Sequence, residues 1–165
     1  MAVSYITYAA NGATAVSVAT ASPMSVTVWD GLLVFVHAAY ASLPTLTVTD
    51  NAAGGTNTYT LVTGPHINAS SSIVGYVYAC AAAKATENLT FTVTASTGTP
   101  ALRIYVVQVR GHDVSTLCDV SNSVSYVADE SPQGAAITPT RAGLAFSYFG
   151  NTSSFTLTSW DAGWT

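Results

Sequence analysis

Apolar and hydroxyl residues alternate with a period of two along much of this chain, and that period is typical of a half-buried strand rather than a helix. The clearest examples are residues 24–29 (MSVTVW), 46–49 (LTVT), 89–94 (LTFTVT) and 155–158 (FTLT). We expect the Val, Leu and Phe side chains to face a core. Thr suits the outward positions because its β-branch favours extended backbone and its hydroxyl remains solvated.

Other short segments rich in β-branched and aromatic residues bring the predicted strands to about eleven. These segments are residues 3–8, 14–19, 32–38, 58–62, 73–80, 101–110 and 143–149. Turn signals separate many of them, including Asn11-Gly12, Asp30-Gly31, the run DNAAGGT at 50–56 and Gly64-Pro65. Only residues 79–88 (ACAAAKATEN) have a helix-forming composition, and that segment is too short for more than one or two turns.

Regular strand spacing with almost no helix predicts an all-β fold. We expect an antiparallel β-sandwich, immunoglobulin-like or jelly-roll, with roughly 8–11 strands and little or no helix. The 165 residues are of a size for one domain, so we predict a single sandwich over residues 1–165. Residues 1–24 are expected to form an N-terminal arm or extra strands.

Charged residues make up only 7% of the chain, against about 25% in an average soluble domain. The four cations, Lys84, Arg103, Arg110 and Arg141, are far apart in sequence, and the formal net charge is −4. Nucleic-acid binding and polybasic attachment to membranes both need clustered cations, so we expect neither partner. The most apolar stretches run about ten residues, too short for a spanning helix.

Polarity is instead supplied by 24 Thr and 18 Ser. The N-terminal sequence MAVSYITYAANGATAV contains no basic residue, so we expect synthesis in a host cytoplasm without a signal peptide. Cys80 and Cys118 are too few for a disulfide scaffold or a metal site. They are expected to be two isolated buried thiols, with a single bridge as the alternative.

Catalytic groups are scarce in this sequence. His37 lies in an apolar strand (VFVHAAY) and is expected to be a core or interface residue. His112 and Asp113 are adjacent, and neighbours on extended backbone point to opposite sides. No nucleophile elbow or metal-binding spacing accompanies them, so we expect no enzyme, no catalytic or metal site and no cofactor. A loop calcium site at Asp50 and Asn51 is a minor alternative.

Two tryptophans near the C-terminus, Trp160 and Trp164, are the candidates for an exposed aromatic pair. Such a pair could stack on a sugar ring or lie in an interface. In a sandwich, most of the remaining aromatic residues are expected to be buried.

The order of the motifs from about residue 25 to 165 resembles a β-sandwich module found in virion proteins of tailed bacteriophages and in bacterial surface proteins. The matching segments are GLLVFV at 31–36, LTVTDNAAGGTNTYT at 46–60, YVYA at 76–79, LTFTVT at 89–94, QVRG at 108–111, GLAFSYF at 143–149 and AGWT at 162–165. Leu32 stands where the module usually has Asp, and Gln108 where it usually has Glu. The chain also stops at AGWT, where related modules usually continue into further strand, so we expect a sheet edge that needs cover.

This resemblance implies a structural virion protein, most like a capsid decoration (cement) protein on the capsid exterior. Its expected partners are the major capsid protein and further copies of itself, with a trimer favoured. It would stabilise the shell by bridging capsid subunits. The alternatives are a glycan-binding or adhesion module of a phage fibre or bacterial surface protein, and a subunit of an extracellular filament.

Overall fold

The computed structural model describes residues 4–39, 42–68, 72–115 and 117–119, together with 138, 140, 143–144, 146, 149–150 and 155–156. This part of the chain contains twelve strands and no helix. The strands are β1 (Ser4–Thr14), β2 (Ser17–Ala19), β3 (Met24–Val26), β4 (Gly31–Ala39), β5 (Leu46–Asp50), β6 (Thr60–Asn68), β7 (Ile73–Cys80), β8 (Thr86–Leu89), β9 (Phe91–Ala95), β10 (Ala101–Arg110), β11 (Phe149–Gly150) and β12 (Phe155–Thr156). None of the described residues belongs to a helix that could cross a membrane.

The strands form two packed layers. One layer is a five-stranded antiparallel sheet in the order β1-β10-β4-β7-β6. Opposite it lie the three-stranded sheet β2-β9-β5 and the two-stranded sheet β3-β8, while β11 and β12 pair with each other. The predicted all-β antiparallel sandwich is therefore confirmed.

The main core fills the space between the layers. It joins Leu32 and Val34 of β4 to Phe91 and Val93 of β9, all of them fully or almost fully buried. Two tyrosines of β7 cross this core, since the Tyr76 hydroxyl donates to the Pro44 carbonyl at 3.0 Å and Tyr78 donates to the Leu46 carbonyl at 3.1 Å. Both hydroxyls thus keep a hydrogen bond inside the apolar interior.

The three-stranded sheet follows the predicted alternation. Along β5, Leu46 and Val48 are buried while Thr47 is exposed. Along β9, buried Phe and Val residues alternate with half-buried threonines. This sheet therefore has one face in the core and one face of hydroxyl groups, as the sequence pattern predicts.

The five-stranded sheet is apolar on both faces. All eight residues of β4 from Gly31 to Ala38 are buried. On the face away from the main core lies a second apolar cluster, made of Leu33, Phe35, Val77, Val107 and Val109. Leu117 and Phe146 pack against this second cluster, with the rings of Phe35 and Phe146 6.5 Å apart. Residues that follow β10 in the chain therefore cover the outer face of the larger sheet.

Two predicted turns lie inside strands. Asn11-Gly12 is part of β1. The Asn11 side chain donates to the Ala19 carbonyl of β2 at 2.7 Å and so holds β1 against the smaller sheet. A side chain at position 12 would overlap Arg103, whose Cδ lies 2.0 Å from where its Cβ would be. Gly64-Pro65 is part of β6, where the register with β7 shifts twice.

Two other segments also differ from prediction. The strand expected over residues 24–29 ends at Val26, because the backbone N–H of Thr27 turns to donate to Asp30 at 2.9 Å. The helix-forming segment 79–88 contains no helical turn and instead completes β7 and begins β8. Packing of Cys80 and Ala83 in the main core determines the conformation of this segment, over its weak local preference.

Candidate functional site

Asp30 is the centre of a hydrogen-bonded network at one end of the five-stranded sheet. The residue is 1% exposed and precedes β4 directly. Its carboxylate accepts hydrogen bonds from the backbone N–H and the hydroxyl of Thr27, at 2.9 and 2.8 Å. It also accepts one from the Nε2 amide of Gln108 at 2.6 Å. These donors hold the turn at residues 27–30 against the sheet.

Arg110 completes the network from the end of β10. Its Nε and Nη2 atoms donate to the two carboxylate oxygens of Asp30, at 2.6 and 2.9 Å. Nη2 also donates to the Thr27 hydroxyl at 2.7 Å. Residues 30 and 110 meet because β4 and β10 pair with Val109 opposite Gly31. The side chain of Arg110 remains 45% exposed, so the ion pair joins a buried anion to a cation at the surface.

Burial alone would disfavour the charged form of Asp30, but the hydrogen bonds outweigh it. Donors from Arg110, Thr27 and Gln108 lower the pKa of Asp30 to about 2. The carboxylate therefore remains ionised, and the Arg110 charge beside it is balanced. Gln108 suits this position because its amide can donate to Asp30, whereas a glutamate there would repel it.

Trp29 stands next to this network and is the most exposed large hydrophobic residue among those described, at 61%. Its backbone lies in the left-handed region, with φ of 71°, which is uncommon for a bulky side chain. The Trp29 N–H donates to the Ala83 carbonyl at 3.1 Å. The carboxylate of the next residue, Asp30, accepts a hydrogen bond from the Thr27 N–H. The turn thus holds a large aromatic ring at the surface.

A depression of about 370 Å³ lies beside the ring. Its lining includes the turn and the residues after β10, namely Thr27, Val28, Trp29, Asp30, Arg110, Gly111, His112 and Val114. A second groove of about 460 Å³ shares Thr27 and Val28 with it and extends along β3 and β8 to Glu87. Trp29 and the first depression are the candidate binding site of the described chain.

The Asp50 hairpin is the other polar cluster. The Asp50 carboxylate accepts hydrogen bonds from the backbone N–H of Ala52 and of Asn57, both at 3.1 Å, from the Asn57 amide at 2.7 Å and from the Tyr59 hydroxyl. Burial opposes ionisation, yet these donors lower the pKa of Asp50. Protein donors therefore occupy the oxygens that the calcium alternative would require.

Lys84 holds the carbonyl oxygens of the same loop. Its ammonium donates to the carbonyl oxygens of Gly54, Gly55 and Thr56 at 3.3, 2.7 and 3.2 Å. Its backbone N–H donates to the Asn57 side chain at 2.8 Å. Asp50 and Lys84 thus fix the loop from both sides, and we assign them a structural role.

Two of the three histidines, His37 of β4 and His66 of β6, flank Gly75 of β7 in the register of the larger sheet, while His112 lies beyond the end of β10. The His112 ring is 2.6 Å from the Ala81 carbonyl through Nε2, while Asp113 accepts from Ser115 at 2.9 and 2.7 Å. His112 and Asp113 therefore face different partners, as their adjacency predicts. His66 lies in the irregular part of β6, where its Nε2 is 2.6 Å from the Thr63 hydroxyl. His37 is 4% exposed and lies opposite Arg103 in the register of β4 and β10.

The burial of His37 predicts an acid-sensitive fold. Burial and then the Arg103 charge lower its pKa from 6.5 to about 4. Between pH 6.5 and 4 the unfolded chain therefore binds a proton that the folded chain does not, so stability falls as the pH falls through this window. We expect a loss of about 3 kcal/mol in the free energy of unfolding. Urea unfolding at several pH values should show it, and His37→Leu should flatten the dependence. An equally steep dependence in the variant would contradict this assignment.

Trp160 and Trp164, the aromatic pair proposed from sequence, lie outside the described residues. Cys80 and Cys118 are both thiols rather than halves of a disulfide, as the sequence indicates. Burial raises the pKa of each of these thiols, which keeps them protonated and unreactive.

Sequence reasoning missed Trp29, because the alternation placed it in a strand. The only sequence feature that could have indicated a turn at Trp29 was its position directly before the turn signal Asp30-Gly31.

Comparison of the chain with protein-family models, curated proteins and solved structures gave no match.

Proposed function

We propose that this chain is a structural virion protein, a capsid decoration protein that binds the outer surface of a phage capsid and bridges its subunits. The observation that carries the proposal is the open edge of β1, defined by Tyr5, Ile6 and Tyr8. These three side chains are 38%, 39% and 55% exposed. The motif order of the sequence supports the same assignment.

The open edge of β1 lacks the charged residues and prolines that prevent strands from pairing with other chains, although its register against β10 shifts once, between Tyr5 and Thr7. β1 spans eleven residues, SYITYAANGAT, with no charged residue and no proline. It stands at the end of the five-stranded sheet, and no strand among the described residues pairs with its far side. Soluble proteins usually protect such edges with lysine, proline or bulges. An edge without charge or proline that exposes aromatic side chains favours contact with another chain.

The opposite edge of the sheet, β6, is built differently. It contains Pro65, which has no N–H to donate, and two register shifts against β7. It nevertheless exposes Leu61 and Ile67. Contact between the β1 edge of one copy and the β6 edge of the next would be head-to-tail, and such contacts form a ring when the rotation between copies closes and a filament when it does not. A trimeric ring over a capsid symmetry axis is the assembly we propose.

The low proportion of charged residues in the chain is the second observation that supports the capsid proposal. Burying an unpaired ion costs far more than burying a hydroxyl group. A surface of threonine and serine with 7% charged residues is therefore well suited to burial against neighbouring chains. No catalytic chemistry is part of this proposal, since bridging neighbouring subunits needs only contact area.

We predict that Tyr8→Lys weakens capsid binding about tenfold or more, because a lysine at an edge must lose its hydration on contact. The free energy of unfolding should change by less than about 1 kcal/mol, since Tyr8 is 55% exposed. Co-sedimentation with undecorated shells of the major capsid protein from the same virus measures the binding. Thr47→Lys, on the exposed face of the three-stranded sheet, is the matched control and should bind as the natural chain does.

The result that would overturn the proposal is a natural chain that sediments as a monomer and does not bind the shells. Equal binding by Tyr8→Lys and the natural chain would retain the function but exclude the open edge of β1 as its surface.

A further inference from the structure

The depression beside Trp29 lies at the end of β10 where Arg110 pairs with Ser4 of β1, and it has the composition of a ligand site. It combines an exposed indole with two exposed apolar side chains, Val28 and Val114, and with the polar groups of Arg110 and His112. Its volume of about 370 Å³ is within the range of small-molecule sites.

The backbone that carries the indole is held in place before any ligand binds. The left-handed backbone of Trp29, its hydrogen bond to Ala83 and the anchored carboxylate of Asp30 fix the turn from both sides. A turn that is already ordered loses little conformational entropy on binding, which favours affinity. A backbone conformation rare for tryptophan, maintained by a buried network, is typical of functional positions.

Arg110 supplies the directional group. Its Nε and Nη2 atoms are committed to Asp30 and Thr27, while Nη1 has no hydrogen-bond partner in the described part of the chain. Asp30 balances the guanidinium charge at 2.6 Å. The remaining donors therefore suit an uncharged oxygen acceptor better than a phosphate or carboxylate, because little net positive charge remains to attract an anion.

We propose that this depression binds a neutral pyranose sugar. The C–H face of the sugar ring stacks on the Trp29 indole, and a ring hydroxyl accepts a hydrogen bond from Arg110. The adjoining groove of about 460 Å³, which reaches Glu87, has room for a second sugar unit. This proposal goes beyond the proposed capsid function and does not depend on it, because it concerns the isolated chain.

The test is an NMR titration of the full chain with neutral hexoses, N-acetylhexosamines, their oligosaccharides and uronic acids. We expect saturable binding of at least one neutral sugar, with a shift of the Trp29 indole N–H signal. Trp29→Asn should weaken binding about tenfold or more, since asparagine tolerates the left-handed backbone but has no ring. Trp29→Tyr keeps an aromatic face and should retain most of the affinity. Leu43→Ala removes another exposed apolar side chain, to which neither proposal assigns a role, and should leave binding unchanged.

Three results would overturn the proposal. The first is no saturable binding of any neutral sugar in the panel. The second is preferential binding of uronic acids. The third is sugar binding that Trp29→Asn leaves intact. If the Trp29 indole signal responds only to capsid shells and not to sugars, the depression is a protein contact and the sugar proposal is wrong.

Discussion

Replacing Val107 with aspartate is expected to lower the free energy of unfolding by about 4 kcal/mol or more. Val107 is fully buried in the second apolar cluster, on the face of the larger sheet away from the main core. The substitution removes an apolar side chain worth roughly 2 kcal/mol and buries a carboxyl group that costs a similar amount or more. Since small domains are stable by about 5–15 kcal/mol, this loss removes a large share of the stability of the chain.

The matched control is Thr47→Asp, on the exposed face of the three-stranded sheet. There the carboxylate remains in water, so the loss should be about 1 kcal/mol or less. Urea unfolding followed by fluorescence and circular dichroism compares the two variants. Equal losses at the two positions, or a stable Val107→Asp variant, would show that the outer face of the larger sheet is not a second core.

The second large effect is expected from Asp30→Ala, which should cost about 3 kcal/mol. The substitution leaves the Thr27 N–H and one of the two Gln108 amide hydrogens without an acceptor, while the Gln108 amide keeps its bond to the Ser25 carbonyl. Asp113→Ala, which removes an exposed carboxylate bonded to Ser115, is the control and should cost less than about 1 kcal/mol. Denaturant unfolding at pH 7 measures both variants.

The cost of Asp30→Ala should also depend on pH. Because the folded pKa of about 2 lies below the value of 3.8 for an unperturbed Asp, the carboxylate stabilises the fold above pH 3.8. That contribution is lost as the pH falls through 2. The two chains should therefore differ most near neutral pH and converge in strong acid. A difference that stays constant with pH would assign the effect to packing rather than to the charge.

The sequence predicted the smaller sheet well and the larger sheet incompletely. Thr47 and Val48 alternate as expected because water covers one face of the three-stranded sheet. The apolar run in β4 predicts a strand, but burial on both faces depends on Leu117 and Phe146, which are distant in sequence. Local composition contains no information about which later segment covers a sheet.

The candidate site was the part least accessible to sequence reasoning. Asp30 and Arg110 are eighty positions apart, and only the register of β4 and β10 brings them together. Asn11-Gly12 is a strong turn signal on local grounds, yet the side chain of Asn11 bonds Ala19 and the pair remains within β1. In both cases long-range contacts determine the outcome, and these cannot be read from a single sequence.

Attachment of this charge-poor sandwich to the outside of a capsid can be tested with an electron cryomicroscopy map of native particles from the source of the sequence. We expect density for a small two-layer β-sandwich on the outer surface of the shell, at a fixed number of copies around its symmetry axes. Particles whose shells carry no such density, or in which the sandwich is found only in a tail or fibre, would contradict it.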